Sequence, residues 1–199
     1  MRVSLTESLG IAQYSIIPAA NYIKLTFARF SPFSRLFFTR LSTSTQRRGF
    51  ALKATMKVRI AGGAVRDLLM HITPADIDFA TTATPTEMIS LFEREQVRML
   101  HKKGEEHGTV TCRIEESNFE ITTLRVDVVC DGRRAEVQFT TDWETDANRR
   151  DLTINSLFLD LDGTVVDFTG GVEDVQKRRI AFVGDPVTRI QEDYLRILR

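Results

Sequence analysis

The chain has 199 residues, of which 42% are hydrophobic, so it is long enough to bury a core and too apolar to be a disordered tail. Its zero net charge hides an asymmetry: residues 1–57 hold nine Lys/Arg and one acid, whereas residues 58–199 hold 18 Lys/Arg and 26 acids. The two parts are therefore expected to serve different purposes.

The first part, residues 1–55, has the composition of a mitochondrial transit peptide. It is rich in Arg, Ser, Thr and Phe and almost free of acids, as in RLFFTRLSTSTQRRGF. Basic residues and Pro32 interrupt each apolar run before the roughly 20 residues that a membrane span requires. We expect a targeting or disordered leader, a mitochondrial matrix location and no membrane partner. A second start at Met56 would supply a form without the leader to the cytoplasm or nucleus.

Residues 56–184 alternate short β-like runs with helical ones. VRIAG predicts a strand, GAVRDLLM a helix entered through glycine, and DIDFAT a second strand. TPTEMISLFERE predicts a helix with a capping box between Thr84 and Glu87 and with Pro85 in its first turn. GTVTCRIE and NFEITTLRV predict one hairpin, and SLFLDLDGTVVDF predicts another with Asp162-Gly163 as its turn.

These elements predict a small α/β (α+β) domain with a mixed sheet and with helices on one side. Within residues 185–199, DPVTRIQEDYLRILR predicts a final helix that begins near Pro186 and ends without a cap. We expect it to be the start of a helical neck in a truncated protein. Cys112 and Cys130 lack metal-ligand spacing and are expected to be reduced thiols, and the three histidines have no partner at such spacing.

Two carboxylates one residue apart, Asp76 and Asp78, lie inside an apolar run. In a strand, side chains at i and i+2 share a face, so these two are expected to project together. Adjacent like charges are costly unless a cation lies between them, and paired carboxylates suit Mg²⁺ that also binds substrate phosphates. The sequence therefore predicts a Mg²⁺ site at Asp76 and Asp78, with a solvated acidic strand end as the alternative.

A Gly-Gly pair, Gly62 and Gly63, marks the change from strand to helix. Exposed N–H groups and the helix dipole favour an anion there, and glycine lets a phosphate approach the backbone. Arg66, one turn into the helix, adds a guanidinium for that phosphate. Together with the two aspartates, this pattern predicts a bound nucleoside triphosphate.

Five segments occur in the order GGAVRDLL, DIDFATTATP, FEITTLR, RRDLTIN and EDYLRILR. Together they resemble the head domain of the class II CCA-adding tRNA nucleotidyltransferases, within the polymerase-β-like nucleotidyltransferase superfamily. The resemblance covers residues 58–199. It implies a Mg²⁺-dependent enzyme that adds CCA to tRNA 3′ ends from CTP and ATP without a nucleic-acid template. No protein partner is implied.

The resemblance also assigns roles to individual residues. In this family two carboxylates hold two Mg²⁺ ions, a task that would fall to Asp76 and Asp78. Glu120 is the candidate third catalytic carboxylate, and the alternative is a glutamate that faces outward in a hairpin. Arg150 would contact the phosphates or sugar of the nucleotide, whereas Asp151, like Asn155, would support the loop.

In the resembled family, the segment EDYLRILR selects the incoming nucleotide. This implies that Asp193 accepts a hydrogen bond from the exocyclic amino group of C or A, and that Arg196 donates to the neighbouring ring acceptors, with Arg199 beside them. G and U present a carbonyl at that position and would leave a buried group unpaired, at a typical cost of about 1–3 kcal/mol. The alternative meaning of this charged helical face is contact with solvent.

Three other functions stay open. A bacterial-type poly(A) polymerase has the same head and would accept ATP but not CTP. A truncated form would bind nucleotide without turnover, and the excess of acids in residues 58–199 predicts poor tRNA binding. LFLDLDGTVVDF also resembles the loop of a haloacid-dehalogenase-like phosphatase, with Asp160 as nucleophile and Asp162 as acid, although few residues follow it for the rest of such a site.

Overall fold

The computed structural model describes residues 11–17, 22–27, 56–100, 107–114, 117–128 and 136–198. The β-strands within them are Ile11–Ile17 (β1), Tyr22–Phe27 (β2), Val58–Ala61 (β3), Asp78–Thr81 (β4), Arg98–Leu100 (β5), Thr109–Ile114 (β6), Ser117–Thr123 (β7), Arg125–Val128 (β8), Glu136–Phe139 (β9), Phe158–Leu159 (β10) and Thr164–Val166 (β11). The α-helices are Gly63–Leu69 (α1), Pro85–Arg94 (α2), Trp143–Arg149 (α3), Gly171–Lys177 (α4) and Pro186–Glu192 (α5), and the 3₁₀ helices are Thr153–Asn155 and Tyr194–Leu198.

Nine of these strands form one sheet in the order β1-β2-β11-β10-β3-β4-β7-β6-β5. Strands β4 and β7 pair in parallel, and the other neighbouring strands described in this sheet pair antiparallel. Strands β8 and β9 form a separate antiparallel pair. The predicted mixed sheet with helices is therefore confirmed.

The sheet buries apolar side chains on both faces. Along β3 and β4, Ile60 and Phe79 belong to one hydrophobic cluster, whereas the next residues, Ala61 and Ala80, belong to a second. Because side chains alternate along a strand, the two clusters lie on opposite faces. Helices α1, α2 and α4 contribute to the first cluster, and α3 contributes Trp143 to the second.

The prediction that all helices lie on one side is wrong for α3. Trp143 and Ala147, one helical turn apart, are both buried, and the Trp143 ring packs edge-to-face on Phe158 with 5.0 Å between centroids. Burial of a large aromatic side chain stabilises this helix against the second face of the sheet. We call this side the α3 face.

Several local elements form as predicted. Thr84 Oγ1 accepts from the Glu87 N–H at 3.3 Å, and Glu87 Oε2 accepts from the Thr84 N–H at 2.9 Å, which completes the capping box with Pro85 in the first turn of α2. Strands β6 and β7 form one predicted hairpin, and β10 and β11 form the other. Gly163 in the second turn has a φ of 89°, which favours glycine.

The predicted strand DIDFAT is shorter than expected, because β4 begins at Asp78. Asp78 pairs with Ala61, the last residue of β3, and Gly62 then turns the chain away with a φ of 73°. Residues before Asp78 therefore lose their partner on the β3 side. Asp76 lies outside the strand and is exposed, so strand alternation does not by itself place its side chain on the same face as Asp78.

The segment read as a leader contains two strands that the sequence analysis did not predict. β1 pairs with β2, and β2 pairs with β11 through Ile23 and Val165. The runs IAQYSII and YIKLTF are rich in β-branched and aromatic residues, which favour strands over disorder. Targeting by residues 1–55 stays a prediction. Among the described residues, no helix is long and apolar enough to cross a membrane.

The predicted final helix is interrupted. α5 begins at Pro186 as expected but ends at Glu192, and Asp193 is extended with φ −156° and ψ 104°. The Asp193 carboxylate accepts from the Leu195 N–H at 2.9 Å, and such local bonds compete with the helical pattern. A 3₁₀ helix, Tyr194–Leu198, follows. Arg199 and Cys130 lie outside the described residues.

Candidate active site

Asp78 and Glu120 lie opposite each other on the parallel strands β4 and β7. The next residue of each strand, Phe79 and Ile121, is buried in the first cluster. Asp78 and Glu120 therefore project from the α3 face, where both are exposed. Two carboxylates thus stand side by side on the solvent side of the central parallel pair.

The pKa of Asp78 is raised, first by partial burial of its carboxyl group and then by the neighbouring carboxylates of Glu120 and Asp76, whereas Arg150 lowers it. The raised pKa means that the charged form of Asp78 is disfavoured by its surroundings. A cation bound between these acids would relieve that repulsion.

The donor set fits Mg²⁺. Carboxylate oxygens are its preferred protein ligands, and it commonly binds through one or two carboxylates and completes its shell with water and phosphate oxygens. Asp78 and Asp76 are near enough to interact electrostatically. In the part of the chain that the structure describes, no three His, Cys, Asp or Glu side chains converge into a metal-binding group. Glu120 therefore lies beside Asp78 without completing a three-ligand group.

The turn between β3 and α1 brings Gly62 close to Arg150. Gly62 has φ 73° and ψ −138°, and its N–H donates to Leu157 O at 2.9 Å. A Cβ at Gly62 would lie 3.4 Å from Arg150 Nη1 and 3.6 Å from Asn155 O. The turn therefore needs glycine for its conformation and is closely packed against the guanidinium.

Arg66 is held beside the same turn. Its Nε and Nη2 donate to Asp67 Oδ1 at 2.9 and 2.7 Å, and its Nη1 donates to Asn155 Oδ1 at 2.8 Å. A Cβ at Gly63 would lie 3.4 Å from Arg66 Nη2. Arg66 thus joins α1 to the 3₁₀ helix Thr153–Asn155, and its guanidinium lies against the glycine pair.

Arg150 lies between the glycine turn and the α3 face. Its Nη1 donates to Asn155 O at 3.4 Å, and its guanidinium carbon is 4.9 Å from the centroid of the Phe158 ring. Burial lowers the pKa of Arg150, and the Asp146 carboxylate opposes that effect. The guanidinium is therefore fixed in place by stacking and by ion pairing, and it acts on Asp78 from the same face.

Sequence reasoning missed the buried carboxylate that holds Arg150. Asp146 in α3 is 1% exposed and accepts from Arg150 Nη2 at 3.0 Å, from Arg149 Nε at 2.8 Å and from the Arg125 N–H at 3.0 Å. Acid and base three and four residues apart on a helix are neighbours, so this spacing could have revealed the pairs. Arg149 also reaches Asp127 of β8 at 3.8 Å, which links the β8–β9 pair to α3.

A second arginine lies under α3. Arg59 Nη2 donates to Asp160 Oδ2 at 2.9 Å, and its guanidinium carbon is 4.3 Å from the centroid of the Trp143 ring. Asp160 of the β10–β11 hairpin, the aspartate considered as a phosphatase nucleophile, is thus in an ion pair with Arg59 of β3.

The residues predicted to choose the nucleotide lie at the end of α5. Arg196 Nη1 donates to Glu192 Oε2 at 2.7 Å and to Arg189 O at 3.3 Å, and the Arg196 N–H donates to Asp193 O at 3.1 Å. Arg189 donates in turn to the carbonyl of Asn148 in α3. This contact places α5 next to the segment that carries Arg149 and Arg150.

The chain is similar in sequence to a family of known proteins. Residues 58–181 match the family described as Poly A polymerase head domain. The chain is 57% identical over 167 residues to the mitochondrial CCA tRNA nucleotidyltransferase 1 of Homo sapiens, covering 84% of this chain and 38% of that protein. It is 42% identical over 150 residues to the CCA-adding enzyme of Bacillus subtilis, covering 74% of this chain and 36% of that protein.

Solved structures of similar proteins share the fold. The crystal structure of the Bacillus stearothermophilus CCA-adding enzyme in complex with CTP has a TM-score of 0.64 and 35% identity over 72% of this chain and 33% of that one. A CCA-adding enzyme with ATP has a TM-score of 0.60 and 27% identity over 82% of this chain and 36% of that one. The chain thus spans between a third and two fifths of the relatives it matches. The predicted resemblance is confirmed, and the chain belongs to the Poly A polymerase head domain family, as a relative of the CCA tRNA nucleotidyltransferases.

Proposed function

We propose that the chain forms the catalytic head of a tRNA nucleotidyltransferase that adds CCA to tRNA 3′ ends from CTP and ATP. The observation that carries the proposal is the in-register pair of Asp78 and Glu120, exposed on the α3 face and acted on by Arg150. The names of the relatives support it, since they are CCA-adding enzymes, some of them with CTP or ATP bound.

The phosphates of the incoming nucleotide would lie at the Gly62-Gly63 turn. The guanidinium of Arg66 lies against Gly63, and that of Arg150 lies against Gly62, so two cations flank the turn. Both are held by carboxylates, Arg66 by Asp67 and Arg150 by Asp146, and so their orientation is set before a ligand arrives. Guanidinium groups fixed in this way suit phosphate oxygens.

Asp76 and Asp78 would hold Mg²⁺, which when bound would activate the attacking 3′-hydroxyl and stabilise the departing pyrophosphate. Asp78 is fixed in the sheet by its pairing with Ala61 and Glu120 on either side, whereas Asp76 lies in the loop before it. Glu120 would keep the local potential negative next to Asp78. Asp78, fixed in the sheet, and Asp76, in the loop, would together allow the site to close on a metal-bound nucleotide.

Asp193, Arg196 and Arg199 would choose the base. In the structure Arg196 uses one nitrogen, Nη1, for Glu192 and for the carbonyl of Arg189. A guanidinium has further N–H donors, so Arg196 can face a base while it keeps its contact with Glu192. One carboxylate and one guanidinium accept C and A and reject U and G.

We further propose that residues 1–55 direct the protein to the mitochondrial matrix. The acid-poor composition supports this, as do the similar mitochondrial proteins of Homo sapiens, Danio rerio and Mus musculus. A start at Met56 would leave a form for the cytoplasm or nucleus. Expression of tagged chains that begin at Met1 or at Met56 tests this, since only the former should enter mitochondria.

The proposed reaction is tested with radiolabelled CTP and ATP, tRNA that lacks its CCA end, and Mg²⁺. The chain is compared with its Asp76→Ala/Asp78→Ala double variant and with Glu93→Gln, which removes an exposed acid from α2 on the other side of the sheet. CTP binding is measured in parallel by calorimetry with each protein. We expect the chain and Glu93→Gln to bind CTP and to incorporate both labels slowly, because the acidic domain binds tRNA poorly, and the double variant to incorporate neither.

The outcomes separate the candidate functions. Incorporation from ATP but not from CTP identifies a poly(A) polymerase. CTP binding by the original chain, without any incorporation, identifies a nucleotide-binding form without turnover. Incorporation that survives the loss of both Asp76 and Asp78 contradicts the proposed metal site.

A further inference from the structure

Two arginines face each other at the edge of the sheet, away from the site described above. Arg98 of β5 and Arg113 of β6 are Cα partners in the antiparallel pair. The neighbouring partners, Met99 and Cys112, pack on the first cluster, so the two arginines project from the α3 face. Like charges directly opposite each other in a sheet are destabilising, which points to a role other than folding.

This arginine pair lies on the same open surface as Asp78. Strand β6 is two strands from β4, about 10 Å away, and Arg113 is two residues, about 7 Å, along β6 from the position that pairs with Glu120. The Cα of Arg113 is therefore roughly 12 Å from that of Asp78, and the Cα of Arg98, one strand further out, is roughly 16 Å away. Arg98, Glu120 and Asp78 are exposed, so solvent reaches this part of the α3 face.

The local charge favours a polyanion. Glu120 lies diagonal to Arg113 across β6 and β7, within reach of a long side chain, and Arg98 is exposed on the next strand, β5. The domain as a whole is acidic, with 26 acids against 18 basic residues in 58–199. An RNA strand that approaches Asp78 therefore meets net repulsion except where cations face it, and Arg98 with Arg113 is such a place.

We propose that Arg98 and Arg113 together bind a backbone phosphate of the acceptor RNA, a few nucleotides from the 3′ end that lies at Asp78. The proposal rests on the proposed function, because it takes RNA as the second substrate. A guanidinium pair set at a fixed spacing by strand register would position the RNA backbone rather than read its sequence. It would therefore affect RNA affinity and leave the affinity for CTP unchanged.

The test measures binding of a fluorescent tRNA that lacks CCA to the chain over a range of salt concentrations. The Arg98→Gln/Arg113→Gln variant is compared with Arg94→Gln/Lys177→Gln, which removes two cations from α2 and α4 on the other side of the sheet. For Arg98→Gln/Arg113→Gln we expect roughly tenfold weaker RNA binding at low salt and a slope of log K against log salt that is smaller by about 1. The control keeps the slope of the original chain, and thermal unfolding checks that both variants fold.

Three results would overturn the proposal: no RNA binding by the original chain, an unchanged slope for Arg98→Gln/Arg113→Gln, or an equal change in the control. CTP binding measured without RNA separates this proposal from the proposed function. If CTP binds and is incorporated while Arg98→Gln/Arg113→Gln leaves the salt slope of RNA binding unchanged, the proposed RNA contact is wrong and the proposed function stands. If CTP neither binds nor is incorporated while the slope changes as expected, the catalytic function fails and the RNA contact stands.

Discussion

Asp78 and Glu120 occupy the same register position on adjacent parallel strands, so the backbone holds two residues with mutually repelling carboxylates side by side. Neither backbone position can move away without breaking the central strand pair. The raised pKa of Asp78 is the consequence of this placement together with partial burial. A site that holds like charges together is less stable than its neutral counterpart. A cation that binds between the two carboxylates relieves their repulsion, and this relief favours its binding.

Asp78→Asn should therefore stabilise the protein at neutral pH while it removes activity. We expect Tm to rise by up to about 2 °C, a small gain because solvent screens an exposed carboxylate. A raised native pKa destabilises the protein above that pKa and has no effect below the unfolded value near 3.9, so the difference between the two proteins should shrink as pH falls toward 4. Calorimetric scans from pH 4 to 8 measure it.

With Mg²⁺ present, the original chain should have a higher Tm than Asp78→Asn. The ion should raise the Tm of the original chain and leave Asp78→Asn nearly unchanged, since binding to the native state alone stabilises it. Glu93→Gln, which removes an exposed acid from α2, should respond to Mg²⁺ as the original chain does. An equal Mg²⁺ response in Asp78→Asn would show that the ion binds elsewhere.

Gly62→Ala should cost more stability than Gly170→Ala, although both glycines have φ near +75°. Gly170 has ψ 18°, which alanine tolerates at about 1 kcal/mol, and no atom lies within 4 Å of its Cβ position. Gly62 has ψ −138°, close to a region that only glycine populates, so about 2–3 kcal/mol is expected. Because Gly62 abuts Arg150, only Gly62→Ala should weaken CTP binding. Urea unfolding and calorimetry give both quantities, and equal effects on CTP would disprove the phosphate-binding turn.

Asp146→Asn should destabilise the protein by about 3 kcal/mol, because it leaves the guanidinium groups of Arg149 and Arg150 without their buried carboxylate. The same variant should weaken CTP binding through loss of the Arg150 orientation. Asp127→Asn is the matched control: this acid is 41% exposed and also pairs with Arg149, so less than about 1 kcal/mol is expected. Urea unfolding that shows equal costs would mean that burial of Asp146 does not matter.

Local signals were predictable from the sequence wherever a few adjacent residues determine the geometry. Thr84, Pro85 and Glu87 encode the start of α2, because the capping hydrogen bonds join residues three apart. Asp162-Gly163 encodes a tight turn, because glycine tolerates the positive φ that it needs. Asp78 was likewise proposed as a site residue from a short pattern, two aspartates one residue apart, whereas Arg150 was proposed from the family resemblance.

Long-range relationships were not predictable in this way. The sequence placed Asp76 and Asp78 on one strand, but β4 begins at Asp78 because Gly62 ends the pairing on the β3 side. The pairing of Asp78 with Glu120 depends on which strands become neighbours, 42 positions apart in the chain. The burial of Trp143 on the second face likewise depends on the assembled sheet, so a helix there was not foreseen.

Asp160→Asn should leave nucleotide binding intact and reveal no phosphatase. Asp160 accepts from Arg59 at 2.9 Å, and its N–H and carbonyl bond to Thr164 and Gly163 in the hairpin turn, so its contacts are those of a structural residue. We expect a loss of about 1 kcal/mol, because its carboxylate is only partly buried. Hydrolysis of p-nitrophenyl phosphate should be absent from the original chain and from Asp160→Asn. Hydrolysis that is lost in Asp160→Asn but kept in Asp78→Asn would instead make LFLDLDGTVVDF a catalytic loop and Arg59 the partner of its nucleophile.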